Sequence, residues 1–249
     1  MRIAIISDIH GNCVSLDTAL ADIRRDGVDQ IVCLGDAIQG GPQPAAVVAR
    51  LRELGCPVVM GNADEWLLNG EETGHEHFSA ERLRKMHEVR AWSLTQLADD
   101  DRAFIAQFKP TVELELDGGL ALLCFHGSPA SFNDIILPTT PEDEFQGYLG
   151  GYVPRIMTGG HTHMQQIRRL VATDSFFFNP GSIGLAYSHG QPKDRFHTDP
   201  WAEYAVLSVE NGRIALDLRR VPIDLQALVD VYRSSGRPHA ADMIAQYQR

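Results

Sequence analysis

The sequence predicts a mixed α and β fold in which two β-sheets pack face to face and helices cover their outer surfaces. Three observations support this prediction. Residues 1–60 alternate between strand and helix periodicity, and residues 65–108 have helical spacing with almost no strand signal. Later residues return to short strands joined by tight turns. This mixture fits two mixed sheets better than one purely parallel sheet.

The N-terminal part of the chain has the alternation that is typical of βαβ units. Apolar, β-prone runs predict strands at Arg2–Ser7, Gln30–Leu34 and Pro57–Met60. Amphipathic spacing predicts helices between them at Cys13–Arg25 and Pro44–Leu54. A glycine follows each helix closely, where it can end the helix in a left-handed conformation.

The composition changes after Asp64. Charged and apolar residues at helical spacing fill residues 65–108. We interpret this stretch as a cap-like insert of two or three helices. It lies within a single domain that spans residues 1–249.

The remaining chain has the pattern of short strands separated by turns and loops. Asp117-Gly118-Gly119 and Asn211-Gly212 are turn sequences that predict hairpins. Residues 127–154 form a long connection, and Ala186–Pro200 form a loop rich in His, Gly, Pro and Asp. The predicted strands are Thr111–Leu116, Leu120–Phe125, Arg155–Thr158, Gln166–Ala172, Ser175–Asn179, Glu203–Val209 and Arg213–Leu218, and the predicted helices are Pro141–Leu149, Leu225–Arg233 and a short one after Pro238.

The bulk composition restricts the function classes. The chain has 249 residues, is 44% hydrophobic and has a net charge of −11. This charge argues against a broad nucleic-acid-binding surface and therefore against a nuclease. No apolar run approaches the ~20 residues of a membrane helix. The sequence shows no leader, and its cysteines form no CxxC pair, so we expect reduced thiols and a cytoplasmic protein. Assembly of identical chains stays open.

Seven side chains with metal-ligand chemistry follow predicted strands. In open α/β sheets, ligands bind beyond the carboxyl ends of strands, so we expect these groups to meet at one rim. Two pairs have i, i+2 spacing, which directs both side chains of an extended strand end to one side. Carboxylate, imidazole and amide ligands without thiolate favour Mn, Fe, Zn, Co or Ni. The seven residues are Asp8, His10, Asp36, Asn62, His126, His161 and His163.

Each of these residues also has an ordinary structural explanation. Asp8 could cap the helix that begins near Cys13, and Asn62 could be a turn residue. A single histidine is more often a surface or core residue than a ligand. The joint pattern is different, because every group lies at a strand end and glycines flank most of them. The set as a whole therefore favours a shared site for two divalent metals.

These segments resemble the motifs D-x-H, G-D, G-N-H-D, G-H and G-H-x-H of the calcineurin-like metallophosphoesterase superfamily. The resemblance covers Met1 to about Val209, and its small bacterial and archaeal phosphodiesterase branch is the most similar. It implies a four-layer αββα sandwich of two mixed sheets flanked by helices. The matching segments are Asp8-Ile9-His10, Gly35-Asp36, Gly61-Asn62-Ala63-Asp64, Phe125-His126-Gly127 and Gly159-Gly160-His161-Thr162-His163.

The resemblance also implies a role for each ligand. Asp36 would bridge two metals, and a hydroxide between them would attack the phosphoester. The first metal would be held by Asp8, His10 and His163, and the second by Asn62, His126 and His161.

The residues expected to take part in catalysis are Asp36, Asn62, Asp64 and His126. Carboxylates outside the ligand set are expected to orient the imidazoles. Asp64 is the natural candidate for this task, and a plain turn residue is the alternative interpretation.

Ala63 departs from the family pattern. Many members carry a histidine there that protonates the leaving group, although other members of the small phosphodiesterase branch also lack it. A general acid contributes about 10²–10⁴-fold, so its absence favours phosphodiesters or activated esters. His189 and His197 on the loop after Ser182 could contact substrate, as could Lys193, with solvated loop positions as the alternative.

The leading hypothesis is a dinuclear metal-dependent phosphoesterase that acts on a small substrate, more specifically a phosphodiesterase. The alternative is a scaffold of the same fold that binds protein partners and has little catalysis. All seven expected ligand positions are intact, which favours the enzyme.

Overall fold

The computed structural model describes residues 1–71, 78–151, 154–188, 190–192 and 195–248. The strands are β1 (Arg2–Ile6), β2 (Gln30–Cys33), β3 (Val112–Leu116), β4 (Leu120–Cys124), β5 (Ile156–Thr158), β6 (Gln166–Leu170), β7 (Ser175–Asn179), β8 (Trp201–Glu210) and β9 (Arg213–Pro222). The helices are α1 (Cys13–Asp26), α2 (Pro44–Leu54), α3 (Asn62–Asn69), α4 (Ala80–Gln96), α5 (Asp99–Ile105), α6 (Glu142–Tyr148), α7 (Leu225–Ser234) and α8 (Ala240–Gln246).

These strands form two sheets. The first has the order β2-β1-β8-β9, in which β1 is parallel to β2 and antiparallel to β8. The second has the order β3-β4-β5-β7-β6, with parallel pairing in the middle and antiparallel pairing at both edges. The prediction of two mixed sheets is therefore confirmed.

The alternation of side chains along the strands produces a layered core. Ile5 and Leu122 belong to the core between the two sheets. Ile6, the neighbour of Ile5, belongs to the core that the first sheet shares with Leu16 of α1. Phe145 of α6 covers the other face of the second sheet. Burying each such side chain contributes about 1.5–3 kcal/mol, and the result is the predicted helix–sheet–sheet–helix order.

The prediction of a third strand at Pro57–Met60 is wrong. Its residues form only isolated bridges, from Val58 to Cys33 and from Val59 to Lys109. Each bridge joins only one pair of residues. Because β2 ends at Cys33, the segment has no continuous strand beside it with which to form a ladder of hydrogen bonds.

Three helices occupy the described part of residues 65–108, and the first begins earlier than expected, at Asn62. Leu67 of α3 and Ile105 of α5 belong to the same core as α1 and α2. The segment is thus anchored on the sandwich by apolar packing. Its role as a cap stays a prediction, and residues 72–77 lie outside the described part.

Helix α1 is capped by Asn12, whose Oδ1 accepts a hydrogen bond from Ser15 N–H at 3.0 Å. Asp8 therefore does not cap this helix. Both predicted hairpin turns are confirmed, and in one of them Asn211 and Gly212 have φ values of 50° and 75°.

The C-terminal helices α7 and α8 share a small core that contains Leu228, Tyr232 and Tyr247. Val14 of α1 packs against it. Across the described residues, every helix is too short or too polar to span a membrane.

Gly184 marks a close approach between two loops. A Cβ added there would lie 1.9 Å from Ile9 O, and Gly184 N–H already donates to Asp8 O at 3.0 Å. We expect Gly184→Ala to lower the free energy of unfolding by at least about 1–3 kcal/mol, because the backbone must move to make room. Urea unfolding measures this effect.

The matched control is Gly147→Ala in α6, where an added Cβ meets nothing within 4 Å. This variant should be at least as stable as the parent protein, because alanine favours a helix over glycine. Equal stability of both variants would contradict the close approach of the two loops.

Candidate metal centre

The predicted ligands lie on loops that follow strands. Asp8 and His10 follow β1, Asp36 follows β2, and His126 follows β4. Backbone hydrogen bonds join the first two loops, since Asp8 N–H donates to Gly35 O at 3.0 Å and His10 N–H donates to Asp36 O at 2.8 Å. The main chain therefore fixes the positions from which these side chains project.

The other ligands adjoin the same region. Asn62 is the first residue of α3, and His161 and His163 lie between β5 and β6. Gly160 N–H donates to His126 O at 2.9 Å and so joins the loops after β4 and β5. Six of the predicted positions thus lie on neighbouring loops, and Asn62 adjoins them from the first turn of α3.

Six of the side chains form two groups, in each of which the ligand atoms lie within 4.8 Å of one another. The groups are Asp8–His10–His163 and Asp36–His126–His161. In the first group, Nε2 of His163 lies 3.1 Å from Nε2 of His10 and 3.3 Å from Oδ1 of Asp8. Each group offers nitrogen and oxygen donors that suit a divalent cation.

Asp36 lies between the two groups. Its Oδ1 is 3.5 Å from Nε2 of His126, and its Oδ2 is 3.8 Å from Nε2 of His10. Oδ1 also accepts a hydrogen bond from Ala63 N–H at 2.7 Å. Asn62 Oδ1 lies 3.0 Å from Nε2 of His126, which adds the amide to the second group. The Asp36 carboxylate thus presents one oxygen to each group.

Five predicted ligands have a left-handed backbone, which residues other than glycine rarely adopt. The φ values are 53° at Asp8, 49° at His10, 48° at Asp36, 66° at His161 and 53° at His163. Each such residue costs on the order of 1–3 kcal/mol. The extended i, i+2 geometry predicted for the two pairs is wrong, because the chain turns at these residues. Their side chains converge through the turns instead.

Backbone carbonyls orient three of the imidazoles. The Nδ1···O distances are 2.9 Å for His10 and Gln39, 2.8 Å for His126 and Leu34, and 2.8 Å for His163 and Leu185. Because a carbonyl oxygen only accepts, we assign the proton to each Nδ1. The Nε2 atom of each neutral ring then presents its lone pair to the site.

Asp64 has a different task from the predicted one. Its buried carboxylate accepts hydrogen bonds from Ala37 N–H at 3.0 Å and Ile38 N–H at 2.9 Å, directly after Asp36. It therefore holds the loop of Asp36, and the expectation that it orients an imidazole is wrong because carbonyls fill that role. Burial raises the pKa of Asp64 to about 7, and the Asp36 carboxylate acts in the same direction.

The donor set fits a cation. Nε2 of His10 lies 3.1 Å from Nε2 of His163, and with both protons on Nδ1 the two lone pairs face each other unless a cation or a proton lies between them. Oδ1 of Asp8 is buried and accepts no hydrogen bond within the described part of the chain. A divalent cation among these three atoms satisfies all of them.

The pKa values of the histidines in the group Asp36–His126–His161 also show that a positive charge is favourable there. Burial opposes a charged ring at His126, but the Asp36 carboxylate outweighs burial and raises the pKa of His126 to about 9. Burial and the neighbouring His126 lower the pKa of His161 to about 4. A proton on His126 thus supplies part of the charge that a cation would bring, and cation binding displaces this proton.

The geometry agrees with the family comparison. A family model described as the calcineurin-like phosphoesterase superfamily domain matches residues 1–212. The chain belongs to this superfamily. An uncharacterized protein of Methanocaldococcus jannaschii is 25% identical to it over 240 residues, which are 90% of this chain and 88% of the relative.

Two solved structures share the fold of this chain. A metallophosphoesterase from Sphaerobacter thermophilus has a TM-score of 0.70 and 24% identity, with 99% of this chain and 98% of that chain covered. A hypothetical protein from Pyrococcus horikoshii has a TM-score of 0.77 and 17% identity, with 100% and 98% covered. These similarities confirm the predicted αββα sandwich.

A cavity of about 820 Å³ opens over the phosphoesterase site. Its floor contains four of the predicted ligand positions together with Ala63, and helices α3 and α4 supply apolar walls. The lining includes His10, Asp36, Trp66, Met86, Arg237, His239 and Met243. The last three come from the C-terminal segment, where no sequence motif marks a functional residue.

The predicted substrate contacts have mixed outcomes. His197 does not belong to the described residues that line the cavity, and Gln191 holds its backbone, with His197 N–H donating to Gln191 Oε1 at 2.8 Å. His189 and Lys193 lie outside the described residues. A substrate role for these three residues stays a prediction.

We expect Mn²⁺ at 100 times its dissociation constant to stabilise the phosphoesterase by about 2.7 kcal/mol. For a chain of this size, the melting temperature should then rise by about 5–10 °C. Asp8→Asn should lose most of the rise, because the change removes the charge at the buried Oδ1. Thermal melts with Mn²⁺ and with a chelator measure the difference.

Asp143→Asn is the matched control, because Asp143 is exposed on α6. It should keep the full rise in melting temperature. The assignment of Asp8 would fail if Asp8→Asn responded to Mn²⁺ as strongly as this control does.

Proposed function

We propose that this protein hydrolyses phosphodiesters at a centre of two divalent metal ions. The observation that carries the proposal is the position of Asp36 between two groups of nitrogen and oxygen donors. One carboxylate with an oxygen facing each group suits two cations that share a bridging ligand. Family membership supports phosphoester hydrolysis as the reaction class.

In this proposal the ligands divide as the family resemblance implies. Asp36 would be shared by both metals. Asp8, His10 and His163 would hold the first metal, and Asn62, His126 and His161 would hold the second. The absence of thiolate ligands favours Mn, Fe, Zn, Co or Ni.

Bound divalent cations supply a water of lowered pKa and positive charge for the phosphoryl oxygens. The residues of the chain determine where that chemistry takes place. Carbonyl contacts at Nδ1 fix the directions of His10, His126 and His163. Asp64 fixes the loop of Asp36 through Ala37 and Ile38. The ligands are therefore preorganised, so little reorganisation is needed during the reaction.

Ala63 supports the preference for diesters. It lines the cavity beside Asn62, and its methyl group cannot donate a proton. A poor leaving group such as an alkoxide depends most on a proton donor, because it leaves with a high basicity. Aryl diesters and other activated esters depend on it least.

The four cysteines of the chain are free, which suits a reducing compartment such as the cytoplasm, where we propose that the enzyme acts. A preparation that binds no metal and hydrolyses neither mono- nor diesters would instead favour a scaffold that binds protein partners.

We expect Asp36→Asn to abolish hydrolysis of a bis-aryl phosphate. The change keeps the shape of the side chain but removes the charge that faces both groups. Turnover with added Mn²⁺ and metal content per chain measure the effect, with Asp143→Asn as the exposed control. Wild-type turnover with two metals per chain in Asp36→Asn would refute the bridging assignment.

We also expect faster hydrolysis of an aryl phosphodiester than of an alkyl monoester, because a weakly basic aryloxide leaves without the general acid that position 63 lacks. Ala63→His should raise the rate on an alkyl monoester by at least about 10-fold, a part of the ~10²–10⁴-fold that a general acid contributes.

Ala63→Asn is the control, because it adds side-chain volume at this position without a titratable proton. Its rate on the alkyl monoester should not rise. A wild-type preference for phenyl phosphate over the diester would contradict the proposed substrate class.

A further inference from the structure

One wall of the cavity comes from residues beyond those that the family model matches. That match ends at residue 212, whereas Arg237, His239 and Met243 line the cavity from the segment around α8. This segment contributes charged groups close to the metal centre.

The cationic groups of this wall differ in their partners. Lys85 of α4 pairs with Asp242 at 2.8 Å, and His239 contacts Glu88 at 2.7 Å. Arg237 forms no ion pair with any carboxylate in the described part of the chain. Lys85 and His239 thus each contact a carboxylate directly, whereas Arg237 has only the longer-range attraction of Asp242 and the face of the Tyr232 ring, whose centre lies 5.8 Å from its Cζ.

Arg237 is also buried, with 9% of its surface exposed. Burial lowers the pKa of its guanidinium. A buried charge without a counterion is costly, and proteins usually pair such a charge or use it to bind an ion. The burial of Arg237 therefore indicates an anionic ligand.

The guanidinium is held rigidly on one side. Its Nε donates to Gly40 O at 2.5 Å, and its Nη1 donates to Pro238 O at 2.7 Å. Nη2 makes no hydrogen bond within the described part of the chain, and it keeps accessible surface. Two donors fix the group, and the third remains available to a ligand.

The anchor places Arg237 close to the metal ligands. Gly40 follows Gln39, whose carbonyl oxygen accepts the hydrogen bond from Nδ1 of His10 at 2.9 Å. A Cβ added at Gly40 would lie 3.6 Å from that Nδ1. The peptide that holds Arg237 thus adjoins the peptide that orients His10.

We propose that Arg237 is a substrate-binding residue whose guanidinium donates a hydrogen bond to an anionic phosphoryl oxygen of the substrate in the metal cavity. The proposal rests on the function proposed above, because the phosphoryl group is the anion that such a site receives. A planar guanidinium matches the geometry of phosphate oxygens, and a charge-assisted hydrogen bond strengthens the contact.

Binding of inorganic phosphate to the Mn²⁺-loaded protein tests this proposal by calorimetry, without reliance on turnover. Arg237→Ala should weaken phosphate binding by about 10- to 100-fold, the usual effect of losing one charged hydrogen bond. Arg237→Lys should recover only part of the loss, because its single nitrogen cannot replace the separate nitrogens that hold Gly40 O and Pro238 O and donate to phosphate.

Arg233→Ala is the matched control. Arg233 lies on α7 of the same segment, its side chain is 62% exposed, and it pairs with Asp230. The control removes the same charge and should bind phosphate as the wild type does. Metal content and melting temperature are measured for each variant.

Unchanged phosphate affinity in a metal-loaded Arg237→Ala protein would overturn the proposal. If Arg237→Ala loses metal or unfolds, Arg237→Gln becomes decisive, because its amide can still donate to Gly40 O while the charge is gone. A folded, metal-loaded Arg237→Gln with weakened phosphate binding supports the proposal. Loss of metal in Arg237→Ala, Arg237→Lys and Arg237→Gln alike would show that Arg237 supports the His10 loop. That result would overturn the proposal that Arg237 binds substrate.

The experiments distinguish a failure of the proposed hydrolysis from a failure of the proposed role of Arg237. Wild-type protein without metal or turnover refutes the dinuclear function, whatever Arg237 does to phosphate binding. Active wild type with an unaffected Arg237→Ala refutes only the role of Arg237.

Discussion

The left-handed backbone at the ends of β1, β2 and β5 is the constraint on which the site depends. Asp8, His10 and Asp36 all have positive φ values, so the chain turns at each of them and directs the three side chains toward one another. Each left-handed residue costs on the order of 1–3 kcal/mol. Hydrogen bonds between neighbouring loops offset that cost, as between His10 N–H and Asp36 O at 2.8 Å. The sandwich beneath supplies the rigid base.

The same constraint makes the site electrostatically incomplete without cations. The turns bring carboxylates and imidazole lone pairs together, and backbone carbonyls fix each proton on the far nitrogen of His10, His126 and His163. Asp64 adds a buried carboxylate that fastens the loop of Asp36 through two backbone N–H groups. The strain in the backbone, the direction of the rings and the need for positive charge are therefore consequences of one arrangement.

Much of this arrangement is predictable from the sequence. Apolar residues with a period of 2 locate strands, and those with a period of 3.6 locate helices. Polar residues directly after parallel strands are then expected at the same edge of the sheet. The left-handed turns are not predictable from the sequence, because Asp and His adopt a positive φ much less often than glycine does. The position of Pro57–Met60 depends on where β2 ends, which local residues do not determine. Arg237 is also missed, because its relation to Gly40 spans nearly the whole chain.

Metal ligation and cavity shape therefore belong to different parts of the molecule. Six of the proposed ligands project from loops that the sandwich fixes. Helix α3, which carries Asn62, forms the cavity walls together with α4 and the C-terminal segment. In the proposed function the substrate lies between these walls, so we expect changes in them to alter specificity more than they alter the ligand geometry. The start of α3 is the exception, since Asn62 is both a proposed ligand and a lining residue, and Ala63 lines the cavity while its N–H donates to Asp36 Oδ1. At position 63, the hydrogen bond that holds Asp36 and the wall of the cavity therefore depend on one residue.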